Sequence, residues 1–136
     1  AYRQRRCLVL CDGFYEWRQE GDGKTPYFIS TADGEPFAFA GLWETWQDKE
    51  SDDNVQSTTI ITTAANTFMQ QLHLRMPLIL RPGMADRWLD GDSQMLDAAA
   101  AATPAMRAWP VSRVVNNARN QGEQLIETSG ATLSEA

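Results

Sequence analysis

The sequence predicts an α+β protein, mostly antiparallel β with short helices. Three observations carry that expectation. β-Branched and aromatic residues gather in short runs, as half-buried strands require. Turn-forming groups, Gly21-Asp22-Gly23-Lys24 and Ala32-Asp33-Gly34-Glu35, separate the early runs by hairpin-length gaps, which join neighbours antiparallel. Helix-type stretches are few, short and confined to the region after residue 63. With 136 residues, 43 % of them apolar, the chain can bury a core of its own. No internal repeat and no domain boundary is visible.

Taken in order, Arg5 to Trp17 reads as a strand bent near Asp12-Gly13, where glycine permits a sharp backbone feature. Pro26 to Ser30 and Pro36 to Gly41 follow as strands, the latter continuing through Leu42 to Trp46. Asp48 to Gln56 is charged and nearly without apolar residues, so an exposed loop is expected there. Ser57 to Thr63 is a strand by propensity. A short helix over Ala64 to Leu72 would contact the core through Phe68, Met69 and Leu72. Met76 to Leu80 should be a buried strand, with Pro77 near its start. Helices are expected over Pro82 to Leu89, with proline early, and over the alanine-rich Ser93 to Ala102. Pro110 to Val115 reads as the last clear strand, Asn116 to Gly122 as turns, and the tail from 128 to 136 is expected to fray.

Composition restricts function. The longest apolar runs are too short to cross a bilayer. No signal-peptide pattern opens the chain, and Cys7 and Cys11, about 13 Å apart on a straight strand, are too distant to bond. A reducing, cytosolic setting is therefore expected. The net charge of −6 argues against a general nucleic-acid coat protein but leaves room for a local basic groove. Charge does cluster: Arg3, Arg5 and Arg6 lie together, and Asp48 to Asp53 are acidic. Because Ala1 leads straight into an arginine-rich strand, the natural beginning is expected to lie upstream.

The run Asp12-Gly13-Phe14-Tyr15-Glu16-Trp17 sets a carboxylate between aromatic rings. On a strand Glu16 shares a face with Phe14, while Tyr15 and Trp17 point the other way. By itself Glu16 reads as a surface carboxylate, and Trp17 as either a core ring or a stacking platform at a binding surface. Trp43, Trp46, Trp88 and Trp109 fit core positions by their neighbours. His73 is the only histidine and falls where a helix should give way to a buried strand. Alone it is more often structural than catalytic, but Arg75 would share its face in an extended segment, a pairing that suits a phosphate. The alternative for Arg75 is a helix-end side chain satisfying carbonyls. One histidine, two cysteines on one strand and scattered carboxylates make no closed metal site. A thiol nucleophile at Cys7 or Cys11 working with His73 is conceivable, although a thiol on an apolar strand usually behaves as a small hydrophobe.

In combination the motifs resemble the SOS-response-associated peptidase (SRAP) family. The residues that carry the likeness are Arg6-Cys7-Leu8, Asp12-Gly13-Phe14-Tyr15-Glu16-Trp17, Pro26-Tyr27-Phe28 and Phe39-Ala40-Gly41-Leu42-Trp43. Ile61-Thr62-Thr63 with Ala65-Asn66, His73-Leu74-Arg75-Met76-Pro77, Pro110-Val111-Ser112, Val115-Asn116-Asn117, Arg119-Asn120 and Leu125-Ile126 continue it. The resemblance implies a barrel-like SRAP fold, with residues 1–127 the C-terminal part of a single domain whose N-terminal segment is absent from this chain. It implies a protein that binds single-stranded DNA and crosslinks to abasic sites through an N-terminal Cys, closing a thiazolidine. It assigns Glu16 and His73 to catalysis and Trp17, Thr62 and Arg75 to the DNA channel. No cofactor, metal or membrane is implied, and the location would be cytoplasmic, at the bacterial nucleoid when acting on DNA. Two departures stand out: the nucleophilic Cys is not in this chain, which is then expected to be inactive alone, and Leu74 replaces the family's usual Asp beside the His. The competing reading is a thiol (auto)peptidase or hydrolase that uses Cys7 or Cys11 with His73.

Overall fold

Phe37-Ala38-Phe39-Ala40 alternates a large ring with a small side chain, and all four residues are buried. They open the central strand of one of two compact units into which the computed structural model, which describes residues 4–135, divides. The first unit comprises 1–11, 37–63 and 77–103; the second comprises 12–36, 64–76 and 104–136. Arg3 lies outside the described residues, so of the N-terminal basic cluster only Arg5 and Arg6 are placed.

In the first unit, β1 (Arg6–Cys11) runs antiparallel to β2 (Phe37–Gln47), with Arg6 opposite Leu42 and Cys11 opposite Phe37. The other side of β2 pairs with β3 (Asn54–Ile60) and with the short β4 (Ile79–Leu80). Ala40 presents almost no bulk, so Leu78, Leu80, Trp88, Met95 and Ala99 pack closely around it. Trp88 and Met95 come from α1 (Met84–Leu89) and α2 (Met95–Ala101). Gly83 begins α1 at φ 89°, a left-handed conformation that suits glycine.

The Arg6 side chain is buried, its guanidinium 4.1 Å from the centre of the Trp88 ring. It donates to the carbonyls of Trp88 (3.0 Å) and Asp92 (3.1 Å), both near the end of α1. Asp92 in turn accepts the Gln94 N–H and two bonds from Arg87. The Gln94 amide, and after it Arg87, hold the Asp92 carboxyl below its usual range. Its stabilising contribution is therefore present above the ordinary carboxylate pKa and lost as pH falls through the lowered value. Asp92→Asn should melt below the wild type near neutrality, the gap closing on acidification below the ordinary carboxylate range. Thermal midpoints across that range check this; a gap that widens on acidification would contradict it.

The second unit is built on a four-stranded antiparallel sheet. β5 (Phe14–Glu20) pairs with β6 (Gly23–Thr31), which pairs with β7 (Met106–Pro110), which pairs with β8 (Leu133–Ser134). β5 and β8 are the outer strands of this sheet. Gly13 precedes β5 because the Phe28 ring lies where a side chain would be: an added Cβ would fall 2.1 Å from that ring. Phe28 also meets Tyr15 (5.7 Å between ring centres) and Trp109 (5.4 Å). Tyr27, Ile29, Met106, Ala108 and Val111 are also buried, and Phe68, Met69 and Leu72 are buried as expected.

Several elements differ from expectation for local reasons. The single bent strand over Arg5–Trp17 is two strands, divided at Asp12-Gly13 and belonging to separate sheets. The Asp48–Gln56 loop is shorter, because Asn54 to Gln56 already pair with β2. The helix over Ala64–Leu72 shrinks to one 3₁₀ turn, Met69–Gln71, begun where the Asn66 side chain accepts the Met69 N–H. The strand expected over Pro110–Val115 lies earlier, at Met106–Pro110; Ser112 then accepts the Val114 N–H and starts a 3₁₀ turn over Arg113–Asn116. Within the tail expected to fray, Thr128 bridges to Val111, and Leu133 and Ser134 pair with β7. Trp43 and Trp46, expected in the core, are exposed.

Candidate nucleic-acid interface

The outer strand β5 of the second unit faces an open cleft of about 540 Å³. Trp17, Arg18 and Gln19 of β5 and Lys24 of β6 form one wall. Gln70 to Arg75, the segment leaving the 3₁₀ turn, form the other. Hairpin register explains the first wall: Gln19 stands opposite Lys24 and Arg18 opposite Thr25, so the turn at Gly21-Asp22 brings both cations to one end of the sheet.

Among the described residues no carboxylate lines this cleft, whereas Arg18, Lys24 and Arg75 do, in a protein of net charge −6. Arg18 is only loosely engaged, 3.8 Å from the Glu20 carboxylate and 3.4 Å from the Tyr27 hydroxyl, and exposed pairs of this kind hold a side chain weakly. The cleft therefore offers positive charge, one indole, one imidazole and three carboxamides, a set suited to a phosphate-bearing ligand with a flat ring.

His73 is exposed, its orientation set by a close backbone loop. Its Nδ1 accepts the Arg75 N–H at 3.1 Å and lies 3.2 Å from the Arg75 carbonyl. A neutral ring can accept the former, and a protonated ring can donate to the latter, so either charge state keeps the same orientation. Proton exchange with a ligand is left to Nε2. Leu74, next in sequence, is 81 % exposed and also lines the cleft. Its carbonyl accepts the Ala65 N–H, which braces the segment carrying His73.

The structure thus gathers Trp17, His73 and Arg75 of the expected site around one cleft. Glu16 is half-buried beside it on β5, opposite Tyr27, and its carboxylate accepts the Trp17 N–H at 3.3 Å. It is not among the residues that line the cleft. Thr62 belongs to the first unit, exposed at a small hollow of about 130 Å³ that also includes Asp97. Cys7 and Cys11 belong to the first unit as well, and both are half-buried thiols. The Cys7 Sγ lies 3.6 Å from the Thr58 hydroxyl. Arg18 and Lys24 escaped the sequence reading, although the hairpin turn between them was visible and register alone would have juxtaposed them.

Among the described residues no helix is long and apolar enough to cross a membrane, and no group of three or more His, Cys, Asp or Glu side chains is placed to hold a metal ion.

Comparison with known proteins then places the chain. It is 37 % identical over 132 residues to the abasic site processing protein YedK of Escherichia coli, covering 93 % of this chain and 59 % of that protein. It is 35 % identical over 140 residues to the abasic site processing protein HMCES of Xenopus tropicalis, covering 88 % of this chain and 42 % of that one. A crystal structure of a protein from Bacteroides thetaiotaomicron superposes with a TM-score of 0.82 at 26 % identity, over 94 % of this chain and 58 % of that one. The chain thus spans three-fifths or less of the length of each of these proteins. The sequence profile described as SOS response associated peptidase (SRAP) matches residues 1–118, and with these relatives it shows that the chain, a mostly antiparallel α+β fold, belongs to the SRAP family.

Proposed function

We propose that this chain is the DNA-holding part of an abasic-site processing protein, with single-stranded DNA lying along the cleft between Trp17 and Arg75. The observation that carries the reading is the cleft itself: an indole among Arg18, Lys24, Arg75 and His73, without a carboxylate, in an acidic protein. A cationic groove with an aromatic platform follows a strand by its phosphates and stacks its bases without regard to sequence. The relatives' shared description as abasic site processing proteins agrees with that chemistry.

The covalent step needs an α-amine and a β-thiol on one residue, which an N-terminal Cys provides. The amine attacks the aldehyde of an opened abasic sugar and water leaves, giving an imine. The thiol sulfur then adds to the imine carbon, its proton passing to nitrogen, and the thiazolidine ring closes. Glu16 would assist proton transfer during sugar opening and imine formation, and His73 would exchange protons through Nε2 in closure and reversal. Thr62, by the family likeness, would also contact DNA. DNA in this reading is the partner, and no cofactor takes part.

In the 136-residue chain Cys7 and Cys11 both lie inside β1, with their nitrogens in peptide bonds. The chain should therefore retard a single-stranded abasic oligonucleotide in a native gel yet release it completely in a denaturing one. A denaturant-stable adduct through Cys7 or Cys11 would overturn the assignment of chemistry. Absence of retardation in the native gel would overturn the assignment of the cleft.

A further inference from the structure

Trp17 stands on an outer strand of its sheet, where an indole would ordinarily exchange rotamers and donate to water. Here it is held twice. The Tyr15 ring lies 6.4 Å away at 50°, and the indole N–H donates to Asn116 Oδ1 at 2.7 Å, across 99 residues of chain. Because an indole nitrogen can only donate, the Asn116 atom it meets must be the oxygen, which fixes the amide's orientation as well.

Asn116 is itself well secured. It ends the 3₁₀ turn Arg113–Asn116, whose start is capped by Ser112 and whose Val114 carbonyl accepts the Asn120 side chain at 2.8 Å. The Arg113 guanidinium then ties that turn to the β5–β6 hairpin with two bonds to the Lys24 carbonyl, at 3.3 and 3.2 Å. One small element thus grips the wall of the cleft at both Trp17 and Lys24.

We infer that Asn116 is a positioning residue: it locks the Trp17 indole in a stacking-ready orientation, with its N–H already satisfied, before a nucleic-acid base arrives. The inference rests on the DNA-binding reading of the cleft. Its consequence is twofold. The ordering cost of a rotamer-rich side chain is met in the folded protein rather than on binding, which favours affinity. The occupied N–H removes a hydrogen-bond donor from the platform, leaving a π-face that accepts any base.

A double-mutant cycle tests it, using the 136-residue chain and a fluorescein-labelled single-stranded oligonucleotide. Asn116→Ala should weaken binding about three- to tenfold in the wild-type background. In the Trp17→Phe background, where no indole N–H exists, the same substitution should change binding by less than about 1.5-fold. An equal loss in both backgrounds, or no loss in the wild type, would overturn the inference. The ¹H–¹⁵N signal of the Trp17 indole gives a second readout that needs no DNA. It should shift and exchange faster with water in Asn116→Ala, and keep its slow exchange in Asn116→Asp, which retains an oxygen acceptor. If the wild type binds no oligonucleotide, the DNA reading fails; an indole signal unmoved by Asn116→Ala would independently overturn the tether.

Discussion

Replacing Trp88 with alanine should cost roughly 4–5 kcal/mol of folding free energy, the upper range for a core truncation. Trp88 is fully buried and packs with Leu78, Leu80, Met95 and Ala99 against Ala40. Two further losses add to the cavity. The Arg6 guanidinium would lose the ring it covers, and the Cys7 carbonyl would lose the indole N–H that reaches it at 3.0 Å. The hydrogen bond from Arg6 to the Trp88 carbonyl would survive only if α1 held its place. Since total stabilities are about 5–15 kcal/mol, the variant should be largely unfolded or sharply destabilised in urea. Trp88→Phe keeps most of the volume and should lose about 1–2 kcal/mol. Equal midpoints for the two variants would show that the indole N–H and ring size do not matter as argued.

Neutralising the cleft's cations should have the largest functional effect. Arg18, Lys24 and Arg75 all line it, so up to three phosphates can be matched. Counterion release from single strands gives a slope of log affinity against log salt of about −0.7 per phosphate, hence about −2 for three. Relative to about 1 M salt, where this contribution vanishes, binding at about 50 mM should be several hundredfold stronger. Arg18→Gln/Lys24→Gln/Arg75→Gln should forfeit that gain while leaving the fold intact. The Arg18–Glu20 ion pair is partly exposed at 3.8 Å, and such pairs contribute little to stability.

Much of this architecture was legible in the residues, and the failures share a cause. Strands were readable where β-branched or aromatic runs met glycine turns, as at Gly21 to Lys24 between β5 and β6. The 3₁₀ turns were not, because a few side-chain oxygens decide them: Asn66 truncates one expected helix, and Ser112 turns an expected strand into a helical turn. The two units were invisible because neither is a contiguous stretch; the chain passes between them at 11/12, 36/37, 63/64, 76/77 and 103/104. No composition shift can mark such a division. At the site, Trp17, His73 and Arg75 were found through the family motif, and the fold brings them around one cleft. Lys24 and Asn116 were not singled out, since their roles depend on register and on a contact 99 residues distant. Such partners carry no local pattern.

The central claim, that the cleft of the second unit holds single-stranded DNA by its cations, is tested most directly by salt dependence. The measurement is an anisotropy titration of one labelled single-stranded oligonucleotide at about 50 and 200 mM salt, with wild type and the triple neutralised variant. The account predicts that wild-type affinity falls roughly 20-fold over that range, while the variant binds weakly and nearly independently of salt. A variant that keeps the wild-type affinity and slope would contradict it, because the DNA would then be held elsewhere.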